Sequence, residues 1–177
     1  MAFRERWGGV TPVAMTWELV TRTTQGLAAR AVLVADGRMG EVPVRVTKRI
    51  EVPSGSSLTV ALEVQNRGEE AAHAPLVSEL FLSLGGSRIG EDCALSAEVA
   101  GGKVPLDERI ELPALDAVGV VGWAARVEIL TNPPARVLLD PLDQGGVRVA
   151  LSWPVELWPR DREQREIRLI VREEHHA

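Results

Sequence analysis

Few side chains in this sequence are placed to do chemistry. Glu79 lies in the run LVSELFLSL, Leu76 to Leu84, on the strand face that it shares with Val77 and Phe81. A carboxylate buried there alone is expensive. It therefore either pairs with an arginine, with Arg45, Arg49 and Arg126 as candidates, or offers acceptor oxygens to the hydroxyls of a bound sugar. His73, the only histidine away from the C-terminus, precedes it in what reads as a loop. A carboxylate base and a histidine acid form a workable couple near neutral pH, whereas a lone loop histidine is ordinarily just solvated.

The aromatic balance is unusual: five tryptophans, two phenylalanines and no tyrosine. An indole ring is a flat, weakly polar platform on which the apolar face of a pyranose can rest, but its commonest use is core packing with the N–H satisfied. Trp123 and Trp153 fall on the apolar parity of their strands and are expected in the core. Trp158, on the polar parity beside Glu156, is the first candidate to touch a ligand, followed by Trp17 and Trp7 near the N-terminus. The candidate sugar-contacting set is Trp158, Glu79, Phe81, His73 and Trp17.

Other chemistries find little support, and a two-carboxylate glycosidase stays open only because acidic residues are plentiful and their separation is not written in the sequence. One cysteine, Cys93, and three histidines, two of them in the tail, lack zinc-ligand spacing. Asp140 and Asp143 do not follow the calcium-loop pattern and read as turn formers. Nucleophile-elbow, Walker and dinucleotide fingerprints are absent. No cofactor or metal is expected. A net charge of -5, with no basic run longer than a pair, argues against nucleic acid. The longest apolar run, Ala117 to Ala125, is far short of the roughly 18 residues of a membrane span. With no secretory h-region, the expectation is a cytoplasmic protein.

These residues must be held by strands. Val42, Val44, Val46, Lys48, Ile50 and Val52 alternate with polar neighbours, Pro53-Ser54-Gly55-Ser56 turns the chain, and Leu58, Val60, Leu62 and Val64 alternate again, which predicts a hairpin. Gln65 to Glu70 is an excursion, after which a strand resumes at Leu76. Further strands are predicted at Val13–Val20, Ala28–Ala35, Val121–Leu130, Val147–Leu157 and Arg165–Val171, with weaker candidates at Ala94–Ala100, Glu108–Leu112 and Val137–Leu139. Asn132-Pro133-Pro134 should stop one strand, and Pro154 demands an edge, bulge or break. No window carries a helical period. The fold class expected is all-β, an antiparallel sandwich in a single domain over residues 1–177, frayed at 1–10 and 172–177.

The stretch LEVQNRGEEAAHAPLVSELFLSL, with Leu138-Leu139-Asp140 and Val155-Glu156-Leu157-Trp158, resembles the C-terminal β-sandwich of glycoside hydrolase family 57 α-amylases and 4-α-glucanotransferases. The matching residues are Asn66, Gly68, Glu79, Asp140, Leu157 and Trp158, and the similarity spans Val42 to Val171. The resemblance implies a galactose-mutarotase-like supersandwich whose concave face can hold sugars. It also implies that the catalytic residues sit on a separate barrel, in cis or in trans, for which 177 residues leave no room. The leading expectation is a non-catalytic accessory domain that contacts α-glucan. The alternatives are an aldose-epimerase-like enzyme using Glu79 and His73, and a purely structural or protein-interaction sandwich.

Overall fold

The computed structural model describes residues 16–53, 55–84, 95–123, 125–142 and 146–173. Trp7, Cys93, Asp143, the tail histidines and the start of the first predicted strand lie outside these residues. The described residues form eleven strands: β1 (Glu18–Gln25), β2 (Ala28–Met39), β3 (Val42–Val52), β4 (Ser57–Asn66), β5 (Ala72–Ser83), β6 (Ser96–Val99), β7 (Gly102–Pro105), β8 (Ile110–Val121), β9 (Ala125–Leu142), β10 (Gly146–Leu157) and β11 (Arg162–Glu173). All pairings are antiparallel and join into one continuous sheet that folds over itself.

The fold-over is made by β8 and β9. Residues Ala125 to Asn132 of β9 pair with β11, whereas Arg136 to Leu142 pair with β10. β8 follows β9 across both halves by taking two register shifts, at Leu112/Ala114 and Leu115/Ala117. One layer therefore runs β1-β2-β3-β4-β11-β9-β8-β6-β7, and the smaller layer runs β5-β10-β9-β8.

The change of partner falls at Pro133-Pro134, where two residues without N–H groups cannot serve a ladder. The expectation that these prolines stop the strand is therefore corrected: they redirect it. The Thr131 hydroxyl donates to the Leu115 carbonyl at 2.8 Å and accepts from the Ala135 N–H at 3.2 Å, which satisfies backbone groups that the bend would otherwise orphan. Trp153, 1% exposed, donates its indole N–H to the Pro133 carbonyl at 2.9 Å and fills the corner. Val60, Leu62, Ile129 and Ile167 of the larger layer pack with Leu139, Val149, Leu151 and Trp153 of the smaller one into the main core.

A second cluster, Met39, Val42, Val44, Val46, Val64, Ala72, Val155 and Leu157, closes one end. Asn66 organises it. Its side-chain amide donates to the Glu70 and Leu157 carbonyls at 2.7 and 3.0 Å, and its oxygen accepts from the Gly68 N–H at 2.8 Å. Gly68 fits tightly there, since a Cβ would stand 3.0 Å from side-chain atoms of both Val42 and Pro43, which would have to give way.

Several sequence expectations are corrected. Val121 to Leu130 is two strand ends rather than one strand, since β8 stops at Val121 and β9 starts at Ala125. Trp123 sits in the connection between them and is 50% exposed, so it is not a core residue. Gly122 is the tight point, where a Cβ would approach Leu84 Cβ to 2.5 Å. Strand β5 begins at Ala72, so His73 is a strand residue and not a loop residue. Asp140 lies in β9 rather than in a loop. Pro154 sits inside β10, opposite Pro75 of β5 and beyond Ser152, where the pairing to β9 ends. Both prolines then point their missing donors where no ladder exists.

Trp153→Phe removes the indole donor while keeping an aromatic ring. It should cost about 2–4 kcal/mol in a urea titration, from the stranded carbonyl and the incomplete fill. Trp123→Phe should cost less than Trp153→Phe, because half of the Trp123 side chain is already in water.

Candidate functional site

Strand alternation sorts the side chains of β5 onto two faces. Ala72, Ala74, Leu76, Ser78, Leu80 and Leu82 point into the sandwich; His73, Pro75, Val77, Glu79 and Phe81 point outward. The register with β10 and β9 then builds cross-strand rows on the outer face. Phe81 lies opposite Arg148, and Arg148 lies opposite Asp140. Glu79 lies opposite Ala150, followed by Leu138, and Val77 lies opposite Ser152, followed by Arg136. His73 lies opposite Glu156, with Nδ1 3.9 Å from Oε1.

The end around Phe81 is the more elaborate one. Phe81 is 69% exposed. Beside it the Arg148 guanidinium is tied to the Asp140 carboxylate, so an aromatic face stands next to a fixed cation and anion. Glu79, also exposed, lies one row along. The arginines considered as its partners are engaged elsewhere: Arg45 with Asp36, Arg49 with Glu63, and Arg126 with Glu98. Among the described residues, no arginine or lysine forms an ion pair with Glu79. The Arg45 contact is bidentate, at 2.7 and 2.8 Å, and those hydrogen bonds hold the Asp36 carboxyl below the usual carboxylate range.

Glu79 and His73 share a face but are six strand residues apart, about 20 Å at the rise of an antiparallel strand. They cannot act on one atom as base and acid. Trp158 is 62% exposed and belongs to the other end. It follows β10 in the turn to β11, where its backbone N–H donates to Asp161 Oδ2 at 3.2 Å and its carbonyl accepts from the Asp161 N–H at 3.0 Å. The five candidates are therefore divided. Glu79 and Phe81 stand together, His73 and Trp158 lie at the far end of the same strand pair, and Trp17 lies elsewhere.

Trp17 precedes β1, and its ring centroid is 5.8 Å from the ammonium of Lys48. Lys48 occupies the core-facing parity of β3, in line with Val46 and Ile50, opposite Leu33 on β2 and Leu62 on β4. Burial among these groups pushes its pKa below the ordinary lysine value. The alternation displays this residue openly as a lysine inside an apolar series, yet the sequence reading gave it no role. A cleft of about 380 Å³ opens elsewhere, on the outer side of the larger layer, lined by Glu98, Lys103, Ala117, Gly119, Arg126 and Glu128. None of the five candidates lines it. Among the described residues no cluster of His, Cys, Asp or Glu is arranged to hold a metal, and no helix is long and apolar enough to cross a membrane.

The sequence matches no protein-family model and no curated protein. Solved structures match well. A galactose mutarotase-like protein from Clostridium acetobutylicum is 11% identical, with a TM-score of 0.65 over 89% of this chain and 67% of that one. Galactose 1-epimerase from Lactobacillus acidophilus is 12% identical, with a TM-score of 0.58 over 90% of this chain and 67% of that one. The 4-α-glucanotransferase from Thermococcus litoralis is 17% identical, with a TM-score of 0.54 over 87% of this chain but only 22% of that one. The chain thus has the galactose mutarotase-like all-β fold, and it spans about two thirds of the length of the epimerase-like structures it matches. At these identities the likeness establishes the fold.

Replacing Lys48 by Met should raise the melting temperature, since a half-buried cation gives way to an apolar chain of similar length. The folded lysine loses its proton more readily than the unfolded one, so the folded state binds fewer protons. Wild-type stability therefore rises as the pH climbs toward the ordinary lysine value. Melting curves across that range should show the advantage of Lys48→Met shrinking as the pH increases.

Proposed function

We propose that this chain is a non-catalytic accessory domain of an α-glucan-acting enzyme, and that it contacts the glucan with the outer face of β5 and β10. The observation that carries this reading is the row of Phe81, Arg148 and Asp140 with Glu79 beside it. An exposed ring can take the apolar face of a pyranose, while the fixed guanidinium and the carboxylates supply donors and acceptors for its hydroxyls. The match to about a fifth of a 4-α-glucanotransferase supports an accessory role, because a unit of this size is one part of that enzyme. A catalytic domain would then act in cis or in trans.

The epimerase reading loses its acid and base, since Glu79 and His73 are separated along one strand. The purely structural reading gains nothing from the tryptophans, of which Trp17, Trp123 and Trp158 are exposed.

Calorimetric titration with maltoheptaose tests the proposal. The wild type should bind, Phe81→Ala should weaken binding by about tenfold or more, and Glu79→Gln by several-fold, at about 1 kcal/mol per lost sugar contact. His73→Ala should leave it unchanged. No binding by the wild type, or binding indifferent to Phe81, would remove this surface from consideration.

A further inference from the structure

The smaller layer does not cover the whole inner side of the larger one. Every residue of β1 is exposed, and Ala29, Ala31 and Leu33 on the inner face of β2 are only half-buried. Lys48 lies at this margin, half-buried, with the partly exposed Trp17 ring against its ammonium. The chain contains only one other lysine, Lys103, which is exposed on β7.

Among the described residues, the surroundings of Lys48 hold no anion to keep its proton. On its own face it is flanked by Val46 and Ile50. β2 presents Leu33 and β4 presents Leu62, while the inward side of β5 on the opposite layer carries Ala72, Ala74, Leu76 and Ser78. The charged residues that share this face lie further off: Arg22 on β1, opposite Ala31, and Arg165 and Glu163 on β11, which pair with each other beyond Leu62. Among the described residues no carboxylate forms an ion pair with Lys48. A half-buried amine, next to one aromatic wall and near an open margin, is a setting in which lysine can act as a nucleophile toward carbonyl compounds.

We propose that Lys48 is a carbonyl-reactive site that condenses with the open-chain aldehyde of a small aldose, with Trp17 forming one wall of the approach. The neutral Nζ adds to the aldehyde carbon, a proton passes from nitrogen to the new alkoxide, and the carbinolamine expels water to leave a carbon–nitrogen double bond. The condensation releases one water and needs no oxidant or reductant. The downward shift that burial gives the Lys48 amine agrees with this role. Choosing an aldose among carbonyl compounds rests on the saccharide reading above; the position and reactivity of the amine do not.

The folded wild-type chain is incubated briefly at neutral pH with D-glyceraldehyde and cyanoborohydride, then digested and mapped by mass spectrometry. Lys48 should acquire the reduced adduct about tenfold faster than Lys103. Trp17→Ala should slow labelling of Lys48 several-fold by admitting water, and Lys48→Arg, folded by its melting curve, should leave only the background at Lys103 and at the N-terminal amine. Phe81→Ala should leave labelling unchanged, which separates this site from the proposed glucan surface. Labelling of Lys103 as fast as Lys48, or no adduct at Lys48 in the folded chain, would overturn the proposal.

Discussion

The structure depends on one part-buried hydrogen bond, from the Trp153 indole N–H to the Pro133 carbonyl. A strand that serves two layers must interrupt its ladder somewhere, and every backbone group released by the interruption needs a new partner. In β9 the interruption is confined to Pro133-Pro134, which bring no donors. The remaining polar groups are met by the Trp153 ring and the Thr131 hydroxyl. Because the tryptophan belongs to β10, the same bond fixes where β10 lies against the bend. The register of β10 with β5 then decides which side chains stand beside Phe81 and Glu79. The surface proposed for ligand contact is in this sense set by a residue buried on the opposite side of its sheet.

How much of this was legible in the sequence varied with how cleanly the period of two was kept. β3, β4 and β10 alternate without interruption, and the hairpin of β3 and β4 and the core position of Trp153 were readable from parity alone. β8 was not, because its two register shifts reset the alternation inside ELPALDAVGVV. Trp123 was misplaced for the opposite reason. An apparent parity ran unbroken through the Gly122 connection, and nothing local marked that the chain reverses there. The prolines of β9 read as an end because a single-layer strand would end at them. Only the second layer makes them a bend.

The site was legible in its residue types but not in its grouping. Exposure of Trp158 followed from parity, whereas both faces of the strand that carries Glu79 and Phe81 read as partly apolar and their exposure did not follow; parity also gives no distance along a strand partner. Glu79 and His73 lie on one face and remain far apart, and Trp17 faces a different layer altogether. Long-range ion pairs were equally hidden: Arg45, Arg49 and Arg126 each find another carboxylate because the register, which sequence does not print, brings that carboxylate opposite or diagonal to them. Asn66 and Gly68 are the instructive case among the residues of the family resemblance. Their bonding explains them completely as a turn that ties β4 to the end of β10, so that part of the resemblance is a resemblance of fold.

Backbone amide shift mapping on the intact chain during addition of a linear maltooligosaccharide tests the central claim most directly. The account predicts perturbations centred on Glu79, Phe81, Arg148 and Asp140, with the buried β9 corner unmoved. Perturbations confined to the far end near His73 and Trp158, or to the cleft beside Glu98 and Arg126, or none at saturating saccharide, would contradict it.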